Sequence, residues 1–74
     1  MKQYELIHWA IKRLRKWANT NDIIAAIKKQ HGVEVDYDAV ARRVADINNY
    51  RYDDINDTIE KKRSESGAIL YRIA

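Results

Sequence analysis

The chain has 74 residues, no cysteine, and 14 Lys and Arg against 11 Asp and Glu, for a formal net charge of +3. That length holds one domain with one small core, and the lack of cysteine excludes disulfides and thiolate metal sites. No apolar run has the length of a signal-peptide core or a membrane span, so a soluble protein of a reducing cytoplasm is expected.

Charge is unevenly placed. Residues 1–17 carry Lys2, Lys12, Arg13, Arg15 and Lys16 against Glu5 alone, and residues 59–74 carry Lys61, Lys62, Arg63 and Arg72 against Glu60 and Glu65. The stretch between them is net acidic. A fold that joins the two basic ends on one surface would attract nucleic acid.

Tyr4, Ile7, Ile11, Leu14 and Ala18 follow helical spacing and predict an amphipathic first helix over 3–17. At ~100° per residue, Trp9 falls nearly opposite that stripe, among Glu5, Lys12, Arg13 and Lys16. Asn19 and Thr20 close the helix, and Thr20 is placed to cap a second helix over 21–31. Ile23, Ile24 and Ile27 are its inward face and Gly32 its stop. Val33 and Val35 alternate with Glu34, as in a short extended segment. Asp36 is the expected N-cap of a third helix over 37–47, or to 49, with Tyr37, Val40, Val44 and Ile47 as its core stripe. Tyr50, Tyr52, Ile55 and Ile59 are spaced too loosely for a helix. The β-prone runs 58–62 and 68–73, separated by Arg63-Ser64-Glu65-Ser66-Gly67, predict a hairpin. The expected fold is mainly α with a small β-hairpin, as one domain over 1–74.

Gly32-Val33-Glu34-Val35, followed by Ala39-Val40-Ala41-Arg42-Arg43-Val44-Ala45-Asp46-Ile47, resembles the turn and helix of the arginine repressor DNA-binding domain. The run Arg42-Arg43-Val44-Ala45-Asp46-Ile47, then Thr58-Ile59-Glu60-Lys61-Lys62-Arg63, Gly67 and Tyr71-Arg72-Ile73, is similar to short phage-borne regulators. Both are winged helix-turn-helix proteins. The resemblance covers about residues 20–74. It departs at Ala41, where the repressor helix commonly carries a hydroxyl, and at Asp38, where small or neutral residues are usual. It implies a three-helix winged helix-turn-helix with its third helix in the major groove of double-stranded DNA and a basic wing on phosphates.

On that expectation Arg42 is the residue to read a guanine edge; alternatively it is half of an ion-pair ladder with Asp38 and Asp46, four residues to either side. Arg43 is expected at phosphate. Tyr37 either touches the DNA backbone or is buried against the second helix. Lys61, Lys62 and Arg63, with Arg72 and the first-helix bases, are expected on phosphates, or else form a solvated edge.

Trp9 needs a cover: the hairpin, the C-terminus, a second copy of the chain forming a homodimer, or a host protein, with Arg13 beside it. His8 and His31 lack metal-ligand spacing. Asp53, Asp54 and Asp57 form no calcium-loop pattern. No phosphate loop and no paired nucleophile is present, so neither cofactor nor enzymatic activity is expected. Two functions follow. The first is a sequence-specific regulator of transcription or recombination, of phage or mobile-element type, working in the cytoplasm of a bacterial host. The second is a protein–protein adaptor on the same fold, using the Trp9 face.

Overall fold

The first helix stops three residues earlier than its apolar spacing predicts. In the computed structural model, which describes residues 1–73, α1 spans Gln3–Leu14 and Arg15 turns into the left-handed region at φ 54°. A side chain other than glycine is rarely found there. The turn frees Trp17 and lets Ala18–Asn19 run as a short strand, β1. Helices α2 (Thr20–His31) and α3 (Tyr37–Asn48) follow, then strands β2 (Ile59–Arg63) and β3 (Ile69–Ile73). The result is three helices and a three-stranded antiparallel sheet in the order β1-β3-β2.

Local chemistry explains most of the boundaries. The cap of α2 is Asn19 rather than Thr20. Its side chain accepts the Asp22 N–H at 2.8 Å while the Asp22 carboxylate accepts the Asn19 N–H at 3.2 Å, a reciprocal capping box. Thr20 is the first helical residue and is buried beside the Tyr71 hydroxyl. Gly32 ends α2 as expected, at φ 67°, with its N–H on the Lys28 carbonyl at 2.9 Å. Asp36 holds extended geometry before α3, and its carbonyl, not its side chain, accepts the Ala39 N–H at 3.1 Å.

The core gathers Leu6, Ile7, Ala10 and Ile11 of α1, Ile23 and Ile27 of α2, and Ala39, Val40, Val44 and Ile47 of α3 against Ala18, Val35, Ile55, Ile59 and Tyr71. Tyr37 is not among them. It is 62 % exposed, because the buried stripe of α3 is rotated toward Ala39 and leaves the first-turn tyrosine outside it. Burial pushes the Tyr71 hydroxyl above the ordinary tyrosine pKa, with Thr20 partly offsetting the shift.

The chain reverses after α3 at Tyr50, a second left-handed residue at φ 54°. Three contacts pin the irregular segment that follows to α1. Tyr52 stacks on Tyr4 with centroids 3.6 Å apart, and the Tyr4 hydroxyl donates to Asp54 at 3.1 Å. Asp57 meets His8 at 2.6 Å, a carboxylate partner 49 residues away that local spacing could not reveal.

Asn48 then joins α3 to the sheet. Its amide nitrogen donates to the Ile59 carbonyl at 3.0 Å and its oxygen accepts the Ile59 N–H at 2.7 Å, so one side chain stands in for a neighbouring strand. Asn48→Ala should therefore destabilise the fold by about 1–3 kcal/mol, since both backbone groups lose their partner in a half-buried place. Urea unfolding of the variant measures this, and an unchanged midpoint would show the bracket to be dispensable.

Candidate nucleic-acid interface

The solvent face of α3 is made of Tyr37, Asp38, Ala41, Arg42 and Ala45. Arg42 is exposed and shares this face with the small side chains of Ala41 and Ala45. The ion-pair ladder is not formed. Asp46 is taken by Arg43 Nη1 at 3.1 Å, Arg51 Nε at 3.5 Å and the Tyr52 hydroxyl at 3.3 Å. Asp38 makes no ion pair among the described residues, and neither does Arg42. One flanking acid is thus neutralised from the other side of the helix, and Arg42 keeps all five of its N–H donors available.

Arg43 differs from expectation. It is half-buried and donates to Gln3 Oε1 at 3.0 Å as well as to Asp46. A side chain held on both sides is a tie between α3 and α1, not a spare cation for phosphate.

Register sorts the bases of the hairpin. Ile59 pairs with Ile73, Lys61 with Tyr71 and Arg63 with Ile69, and paired residues share one face of a sheet. Tyr71 is buried against the helices, so Lys61 and Arg63 leave the sheet on its helical side, near the tip where both are exposed. Arg63 also donates to the Gly67 carbonyl at 3.1 Å, which steadies the tip.

Lys62 belongs to the opposite face. Its ammonium sits 4.5 Å from the centroid of the Trp17 ring, and the Arg72 guanidinium lies at the same distance. Arg72 is further held by Glu60 at 3.0 Å. These contacts are cation–π packing that fastens β1 to the hairpin, and they withdraw Lys62 and Arg72 from the group that faces outward with Lys61 and Arg63. Alternation along a strand sets Lys61 apart from Lys62, and the pairing with buried Tyr71 shows which of the two lies on the helical side. Trp17, expected in the first helix, lies beyond its end and is the clamp.

Comparison with family models, curated proteins and solved structures yields no match to this chain. The arrangement of its own side chains is therefore the basis of the functional reading.

Trp9 is half-buried, edge-on to the His31 ring with centroids 4.5 Å apart, so the end of α2 supplies part of its cover. Its other side borders an open groove of about 780 Å³ on the outer face of α1, in which Arg13 also lies. No residue of α3 or β2 lines this groove. Lys12 and Arg13 of α1 and Arg15 just beyond it line this groove and Arg42, Lys61 and Arg63 do not, contrary to the expectation that both chain ends would share one phosphate surface. Among the described residues no group of His, Cys, Asp or Glu could hold a metal ion, and no helix is long and apolar enough to cross a membrane.

Proposed function

We propose that this chain is a small sequence-specific DNA-binding protein of winged helix-turn-helix type. In this reading α3 enters the major groove of duplex DNA and the β2–β3 hairpin is the wing. The observation that carries it is Arg42, exposed, flanked by alanines and free of both neighbouring carboxylates. An arginine so presented matches the two acceptors of a guanine edge, and the methyls of Ala41 and Ala45 suit close approach to thymine methyls. The short α2–α3 connection of residues 32–36 and the hairpin that follows support the same reading, although a fold alone does not assign a function. Lys61 and Arg63 would meet phosphates, and Tyr37 would touch the backbone at the groove edge. A regulator of transcription or recombination, of phage or mobile-element type, acting in bacterial cytoplasm, is the role that fits.

A salt series of binding titrations on mixed-sequence duplex tests the reading. Affinity should fall by about 0.9 log unit per log unit of salt for each phosphate neutralised. Lys61→Ala with Arg63→Ala should flatten that slope by roughly two phosphates. Lys62→Ala should leave the slope unchanged and instead alter Trp17 fluorescence. Absence of binding at low salt would refute the proposal.

A further inference from the structure

The groove on the outer face of α1 is unused by the DNA-binding reading, and Lys12, Arg13 and Arg15 outnumber Glu5 and Asp54 in its lining. Its floor is apolar, from Trp9, Ile55 and Ile73, and Arg13 and Arg15 stand at its rim. Each acid that borders it accepts a hydrogen bond within the chain, and Glu5 and Asp54 meet no cation among the described residues. Glu5 accepts the Lys2 N–H at 2.9 Å, and Asp54 accepts the Tyr4 hydroxyl at 3.1 Å. Asp57 nearby is held by His8 at 2.6 Å and reached by Lys12 at 4.0 Å. Arg13 and Arg15 are exposed and make no ion pair among the described residues. The groove therefore offers an apolar floor beneath two unpaired guanidinium groups, each shaped for bidentate contact with a carboxylate.

From this we infer that the groove is a docking site for an acidic segment of a partner protein, with one apolar side chain on the Trp9 floor and carboxylates on Arg13 and Arg15. Two other occupants fit less well. A symmetric second copy would set this groove, in which cations outnumber acids, against another of the same net sign. Duplex DNA on α3 would not reach the groove, because α1 and α3 bury their apolar stripes in one shared core and turn their polar faces away from one another. The two surfaces would allow the chain to hold DNA on one side and a protein on the other.

The test uses the whole chain, labelled with nitrogen-15, and a short synthetic peptide alternating Asp and Glu with Leu. A copy of the peptide with Lys in place of the acids is the control. The acidic peptide should move the Trp9 indole, Arg13, Arg15 and Ile73 resonances, and the lysine peptide should not. Arg13→Glu with Arg15→Glu should weaken the acidic peptide by about tenfold or more and should allow the lysine peptide to bind. That exchange of preference shows that a loss is not due to misfolding. No shift with the acidic peptide, or equal shifts with both peptides, overturns the inference. So does duplex DNA moving the same groove resonances, which would make the groove part of the nucleic-acid surface. Sedimentation that reveals a dimer abolished by Trp9→Ala would assign the groove to a second copy and also overturn it.

Discussion

Ile47→Ala should cost about 2–5 kcal/mol of folding stability, close to the whole of what so small a domain commands. Ile47 has no exposed surface, lies in the cluster shared by all three helices, and precedes Asn48, the residue that fastens α3 to β2. Truncation therefore opens a cavity at the joint between helices and sheet, where the surroundings have little freedom to collapse. Thermal unfolding should fall by about 4–8 °C for each kcal/mol lost, and the variant is expected to be largely unfolded at physiological temperature. Ile69→Ala is the contrast. That residue is 41 % exposed near the hairpin tip, and its truncation should change stability by less than about 1 kcal/mol. Equal losses in the two variants would show that the core is not where burial places it.

The second large effect concerns binding. Arg42→Ala should lower affinity for a preferred duplex by about 1–3 kcal/mol, or roughly 5- to 150-fold, and relax sequence choice at the contacted base pair. Folding stability should hardly move, because the side chain takes part in no ion pair among the described residues. Asp38→Asn should act in the opposite direction. The carboxylate lies one turn before Arg42 on the same exposed face, and its removal takes a repelling charge away from the phosphates. Competition titrations with preferred and random duplexes measure both variants. Loss of stability without loss of binding in Arg42→Ala would return the residue to a structural role.

The three helices and the hairpin were legible from periodicity, because Ile7, Ile11, Ile23, Ile27, Val40 and Val44 repeat at the spacing of a buried helical stripe. Strand β1 was not. Two residues have no period, and what stops α1 is the pairing of Ala18 with Tyr71 across more than fifty positions of sequence, not a local glycine. The division of the site was hidden for the same reason. Asp46 could be matched with Arg42 by helical spacing, but the reversal at Tyr50 brings Arg51 and Tyr52 back onto it, and Gln3 captures Arg43 from the other end of the chain. Strand alternation separates Lys61 and Arg63 from Lys62, but only the pairing with Tyr71 tells which face the helices cover. Local patterns thus placed Arg42 correctly on an outer face, whereas the partners that decide which cations are free come from distant segments.

The most direct measurement is a nitrogen-15 chemical-shift map of the chain titrated with a short duplex at low salt. The DNA-binding account expects the largest changes at Tyr37, Ala41, Arg42 and Ala45 of α3 and at Lys61 and Arg63 of the hairpin, with Trp9, Arg13 and Lys62 little affected. Changes centred on Trp9 and Arg13, or no change on α3 at saturating duplex, would contradict it.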